Sequence, residues 1–98
     1  MVHAVGVDVG GTKIAAGLVD EQGKILARAR RESPAADSDL IEDTIADLVR
    51  ELTRGHDVAG VGVGAAGFVD ASRSTVLFAP NLAWRDEPLR TELERRVE

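Results

Sequence analysis

The chain has 98 residues, 44% of them hydrophobic and 30% charged, with a formal net charge of -5 and no cysteine. That is enough for one small domain with a single core, and it excludes disulfides and any cysteine-ligated metal within the segment. The acidic balance gives no electrostatic footing for nucleic acid or an anionic membrane surface, so a bound polyanion would need a local site.

Along the chain, Ala4 to Val9 is rich in valine and reads as a strand, broken by Gly10-Gly11. Ile14 to Val19 reads as a second strand and Asp20-Glu21-Gln22-Gly23 as a turn. Lys24 to Arg30 then alternates, with Ile25, Ala27 and Ala29 on one face and Lys24, Arg28 and Arg30 on the other, the period of a half-exposed strand. The first third is therefore expected to be an antiparallel meander. Ser33-Pro34 ends it. Leu40, Ile41, Ile45, Leu48, Val49 and Leu52 follow at helical spacing, with Asp39 and Glu42 in the positions of a capping box and Gly55 as the stop. Val58 to Val63 predicts a strand parallel to the first, with the helix as its crossover. Asp70 to Ser74 reads as a turn and Thr75 to Phe78 as a short strand. A last helix starts after Asp86, with Pro88 in its first turn and Leu89 and Leu93 as its apolar face. A strand is the natural next element, and the unit reads as cut off before it. No apolar run approaches the roughly 20 residues of a membrane span. The start of the chain lacks a basic leader, which predicts a cytoplasmic protein.

The most informative stretch is Asp8-Val9-Gly10-Gly11-Thr12-Lys13. An acidic residue ends a buried strand, and two glycines let the backbone turn tightly and approach a bulky ligand. Successive N–H groups in such a turn can converge on an anion. Thr12 adds a hydroxyl, and Lys13 adds one of only two lysine ammonium groups. Asp8 supplies the hard oxygen that magnesium prefers. These are the parts of a phosphoryl-transfer site, although a Gly-Gly pair between two strands equally fits a plain hairpin turn. Gly6 to Gly11 has Walker spacing, but Thr12 and Lys13 come in reversed order, so this is not a P-loop. Gly62-Val63-Gly64-Ala65-Ala66-Gly67 fits the dinucleotide pattern GxGxxG, which also requires a helix to open at once. Phe68-Val69-Asp70 reads instead as a short strand and a turn, so these glycines are expected to pack tightly or to let a loop pass close to a substrate.

The series Asp8-Val-Gly-Gly-Thr-Lys13, Gly64-Ala-Ala-Gly-Phe-Val-Asp70 and Ala79-Pro-Asn-Leu82 with Trp84 resembles the ROK family (repressors, open reading frames and kinases), and within it the bacterial glucokinases. The resemblance covers essentially the whole chain. It implies an α/β fold, the amino-terminal lobe of an actin-like (ribonuclease H-like) ATPase, as a mixed sheet with antiparallel meander and crossover helix. Two such lobes close on ATP and sugar, and residues 1–98 would be most of the smaller one. On the family pattern Asp8, Gly10, Gly11, Thr12 and Lys13 form the phosphate and magnesium loop, while Gly67 and Asn81 face the sugar. Asparagine suits that task because it both donates to and accepts from hydroxyls. The family's general base is an aspartate in an Asn-Asp pair on the next strand, past Glu98. Its zinc site, its sugar-binding Glu-x-x-His residues and its adenine-binding lobe also lie further on. The implied activity is transfer of the γ-phosphoryl group of ATP, with Mg2+, to the 6-hydroxyl of glucose by a longer homo-oligomeric chain, the 98-residue segment alone being inactive. Alternatives are a kinase for another hexose or N-acetylhexosamine, and a sugar-responsive regulator of the same family. The regulator needs a DNA-binding helix-turn-helix ahead of the phosphate loop, and with Asp8 so near the first residue none is expected.

The remaining candidates carry less. Asp70 is the one carboxylate near the Gly-rich loop, and nothing in the motif makes it the base. His3 and His56 are isolated in sequence and are expected to be structural or solvated. Trp84 is expected to anchor the last helix rather than to stack on a sugar. Arg28, Arg30 and Arg31 fit the charged edge of a sheet better than a binding patch.

Overall fold

A computed structural model of the chain describes residues 3–97. Strands β1 (His3–Val9), β2 (Lys13–Val19) and β3 (Ile25–Glu32) form the expected meander, and helix α1 (Ser38–Thr53) leads into β4 (Val58–Ala65), which lies parallel to β1. The sheet order is β3-β2-β1-β4. Two-residue alternation puts Val5, Val7 and Val9 on one face, paired across the ladder with Leu18, Ala16 and Ile14. All six are buried against Ile41, Ile45, Leu48, Val49 and Leu52 of α1. Burying a side chain such as Ile45 completely stabilises the fold by about 1.5–3 kcal/mol. The opposite face of the sheet carries Gly6, Asp8, Gly17 and Gly62, an open trough of small residues beside Arg28 and Ile25.

Ile25 lies there because β3 slips. A bulge between Leu18 and Val19 breaks the register, so Ala27 and Ala29 face Leu18 and Ala16 while Ile25 pairs with Val19. The simple alternation that grouped Ile25 with Ala27 and Ala29 is overturned by that one extra residue: Ile25 is 46% exposed, while Ala29 packs against the core.

Helix α1 starts earlier than its capping-box pattern suggests. Asp37, in extended conformation, accepts a hydrogen bond from the Leu40 amide at 3.1 Å and is the N-cap. Asp39 instead sits exposed in the first turn, and Glu42 points into the protein. The stop is as expected, with Gly55 at φ 74°, the left-handed conformation glycine takes past a helix end.

The second half of the chain makes a small antiparallel sheet of β5 (Phe68–Val69), β6 (Val76–Phe78) and β7 (Arg85–Glu87), followed by α2 (Leu89–Val97). Strand β7 carries no apolar alternation and is not legible in the sequence. Val76, Ala79, Leu82, Trp84, Leu89 and Leu93 join the same core as the larger sheet. Trp84 is fully buried, consistent with the packing role and not with a sugar platform.

Helices α1 and α2 meet over Arg96, which donates to Asp43 on α1 at 2.9 Å and to Glu92 on its own helix at 2.8 Å. Glu42 lies beneath, buried, 3.6 Å from the Arg96 guanidinium, and neither of its oxygens has a hydrogen-bond donor. Burial and the facing Glu87 carboxyl push Glu42 up to about 8, against the opposing pull of Arg96.

Candidate functional site

Parallel strands β1 and β4 end side by side, Val9 opposite Ala65, and each runs into a glycine-bearing loop at its carboxyl end. Crevices outside the carboxyl ends of parallel strands are where α/β sheets bind ligands. The first loop is the β1–β2 hairpin. Its Gly10 amide donates to the Lys13 carbonyl at 2.9 Å, so the turn is closed by its own backbone and the amides left for an anion are those of Gly11 and Thr12. The Thr12 carbonyl accepts from the Ser33 amide at 2.9 Å, which ties the hairpin to the end of β3. Neither Gly10 nor Gly11 has a positive φ, and the need for glycine here is steric. A Cβ on Gly10 would lie 3.0 Å from the Lys13 carbonyl oxygen, and one on Gly11 would lie 3.0 Å from Asn81 Cβ.

That last contact joins the β1–β2 hairpin to the loop after β6. Gly67 joins the second loop to the same place: a Cβ there would fall 2.6 Å from the Phe78 carbonyl oxygen and 3.1 Å from Ala79. Asp8, Gly10, Gly11, Thr12, Lys13, Gly67 and Asn81 thus belong to three segments that converge at one end of the sheet. Asp8, Thr12, Lys13 and Asn81 are exposed. Among the described residues none of their side chains has a hydrogen bond or ion pair. Several polar side chains elsewhere are used by the fold. Asp20 closes the β2–β3 turn, Asp37 caps α1, and Arg31 pairs with Glu51. These exposed polar side chains, gathered at the carboxyl ends of two parallel strands, make this the candidate site.

The Gly62–Gly67 segment is extended through Ala65 and then bends into β5; no helix opens there, which removes the dinucleotide reading. Asp70 is engaged by its own turn. Its carboxylate accepts from the Ser74 amide at 2.9 Å, the Thr75 amide at 3.1 Å and the Ser72 hydroxyl at 2.8 Å, and these bonds hold it down at about 2. A carboxylate so satisfied is a poor proton acceptor and serves to build the turn. His3 and His56, isolated in sequence, come together in space with ring centroids 5.0 Å apart. The parallel register that sets His3 opposite Val58 brings the start of β1 beside the loop before β4, at the far end of the strands from Asp8. Among the described residues no group of three or more His, Asp or Glu is placed to hold a metal ion.

One contributor has no sequence signal. The guanidinium of Arg85, on β7, donates from Nη1 to the carbonyls of Trp84, Leu82 and Ala79 at 2.7, 2.9 and 3.2 Å, around the loop that carries Asn81. It also lies 4.3 Å from the centre of the Phe78 ring. A lone arginine after a tryptophan gives no hint of this, because its partners are backbone atoms.

The ROK family model matches residues 4–98. The chain belongs to the ROK family. It is 52% identical over 93 residues to a glucokinase of Streptomyces coelicolor, covering 95% of this chain and 29% of that protein. An N-acetyl-D-glucosamine kinase of Vibrio parahaemolyticus is 38% identical over 93 residues, covering 94% of this chain and 31% of the relative. The crystal structure of a ROK family glucokinase from Streptomyces griseus in complex with glucose and AMPPNP superposes with a TM-score of 0.91 at 53% identity, over 97% of this chain and 30% of that one. The chain thus spans about a third or less of the length of the relatives it matches. Its architecture is that of the amino-terminal part of ROK kinases, the actin-like fold. No described helix is long and apolar enough to cross a membrane.

Proposed function

We propose that this ROK chain is the amino-terminal lobe of an ATP-dependent glucokinase, supplying the first phosphate loop and part of the sugar-binding surface. The observation that carries the reading is the convergence of the Gly10–Lys13 hairpin with the Gly67 and Asn81 loops, with Asp8, Thr12, Lys13 and Asn81 unpartnered. It is supported by 52% identity to a glucokinase and by the glucose and ATP analogue bound to the S. griseus relative.

The chemistry follows from the residue types. The amides of Gly11 and Thr12 and the Lys13 ammonium offer positive charge where phosphate charge develops in the transferring group. Asn81 offers a donor and an acceptor to sugar hydroxyls and so orients the acceptor. Magnesium fits the donor set, since Asp8 presents an exposed carboxylate and Thr12, in the hairpin that follows β1, an exposed hydroxyl. When bound, it neutralises phosphate charge and orients the polyphosphate. No carboxylate of the described site is free to take the sugar proton once Asp8 is given to the cation, because Asp70 is engaged in its turn. The general base is therefore assigned to a part of the protein outside these residues.

The second reading is a kinase for an N-acetylhexosamine, favoured by the 38% identity to a Vibrio N-acetyl-D-glucosamine kinase. A coupled ATP-consumption assay on the full-length protein with magnesium and a hexose panel separates the two. Glucose turnover is expected, and K13M and D8N should each lower kcat/KM by at least about a hundredfold, the loss of roughly 2.7 kcal/mol typical of a transition-state contact. Selective turnover of N-acetylglucosamine would replace the substrate and keep the site. No turnover of any sugar would sink the kinase reading.

A further inference from the structure

The loop that presents Asn81 is short and irregular, and something must fix it. Within it the Leu82 amide reaches the Ala79 carbonyl at 3.2 Å, and the Ala83 amide reaches the Ala35 carbonyl at 2.7 Å. The carbonyls of Ala79, Leu82 and Trp84 all turn toward one point, where Arg85 Nη1 meets them. Three carbonyl dipoles aimed at a common centre repel one another, and a cation there converts that repulsion into attraction. The same guanidinium lies against the Phe78 ring, 4.3 Å from its centre, and Phe78 stacks with Phe68 at 6.5 Å. Phe68 directly follows Gly67, whose backbone touches Phe78 and Ala79. One side chain therefore gathers both loops of the sugar side. From the opposite side the loop is stopped by Gly11, in contact with Asn81.

We propose that Arg85 is a positioning residue for the sugar: by clamping the Ala79–Trp84 loop through its carbonyls, it sets the Asn81 amide against the phosphate hairpin at the distance the acceptor requires. Arg85 does not touch the phosphate hairpin and reaches it only through the Asn81–Gly11 contact, so its larger effect falls on the sugar. The inference rests on the proposal that Asn81 binds the sugar, and its test separates the two.

The test uses the full-length protein, with steady-state kinetics for its preferred hexose and for ATP in wild type, R85M, R85K, N81A and R85M/N81A. Methionine keeps the stem against Phe78 and removes the donors; lysine restores a cation without the planar fork. R85M is expected to raise the hexose KM about tenfold with the ATP KM within about twofold of wild type, and R85K to recover part of the loss. Because Arg85 acts through Asn81, R85M should add little in the N81A background. Equal rises in both KM values, a hexose KM unchanged in R85M, or fully additive effects in the double variant would each overturn the proposal. N81A with an unchanged hexose KM would instead remove the sugar role of Asn81, and the inference with it. Should R85M fail to fold, R85K decides by hydrogen exchange. Faster exchange of the Leu82 and Ala83 amides with a raised hexose KM supports the clamp, and unchanged exchange with unchanged KM overturns it.

Discussion

Glu42 is the residue at which the fold carries an unusual cost. It lies on α1, buried, facing Glu87 at the end of β7, with Glu92 and Arg96 of α2 and Asp39 and Asp43 of its own helix around it. Two facing carboxylates have no hydrogen between them unless one keeps its proton. Glu42 keeps it, with its affinity raised from 4.5 to about 8. A carboxyl that binds its proton more tightly folded than unfolded stabilises the protein fully below about 4.5, and that contribution fades as pH rises and is gone above about 8. E42Q keeps the shape, supplies a permanent donor to Glu87 and does not titrate. It should leave stability near pH 5 little changed and raise it by about 1–2 kcal/mol at pH 9. Denaturant unfolding of the full-length protein at both pH values is the check, and an equal effect at the two would refute the assignment. The sequence gives Glu42 a different place, as the far half of a capping box. The three-residue spacing from Asp39 is real, but the chain turns at Asp37, and what turns Glu42 inward is α2, fifty residues away. By contrast the proposal for Asp8, Gly10, Gly11, Thr12, Lys13, Gly67 and Asn81 could be made from the sequence because the family pattern names residue types at fixed order. Arg85 was not legible there, because it acts on carbonyls that every residue possesses.

At the scale of elements, legibility followed periodicity. Strands β1 and β2 and helix α1 bury one face each, so alternation and 3.6-residue spacing found them. Strand β7 is Arg85-Asp86-Glu87, three polar residues paired to β6, with Asp86 at φ 50°. It is a strand because Val76 and Phe78 lie beside it, not because of its own composition. The start of α1 was missed by a local competition. Both Asp37 and Asp39 precede the apolar stripe, and only geometry chooses between them. Asp37 follows a turn in which its amide bonds the Pro34 carbonyl at 3.0 Å, and this leaves it extended and able to cap Leu40. D37A should therefore cost about 1 kcal/mol of stability. D39A should cost less, since Asp39 has an exposed first-turn position and a contact of 3.6 Å to Arg96. Denaturation midpoints of the two variants side by side decide it, and a larger loss from D39A would restore the capping box.

At the scale of the whole molecule, the two edges of the large sheet differ in kind. Strand β3 carries Arg28, Arg30, Arg31 and Glu32, and such charge discourages a second chain from pairing there. Strand β4, Val-Ala-Gly-Val-Gly-Val-Gly-Ala, carries none. Beside it a cleft of about 670 Å³ opens between β4, α1 and α2, lined by Ile45, Val49, Val61, Val63, Leu89 and Leu93. None of Asp8, Gly10, Gly11, Thr12, Lys13, Gly67 and Asn81 lines it, so this cleft is an unfilled seam apart from the candidate site. An uncharged edge with an apolar trough beside it is a template for another strand, and in a longer chain that strand would come from the same polypeptide. Expressed alone, residues 1–98 should satisfy the edge with copies of themselves. Light scattering behind size exclusion should show oligomers that grow with concentration. V61K, which puts a charge on the exposed middle of β4, should reduce them, and R28A/R30A should extend the problem to the β3 edge. A monomer at all concentrations with a sharp, reversible unfolding transition would show instead that the seam closes by itself and that the lobe is a self-sufficient domain.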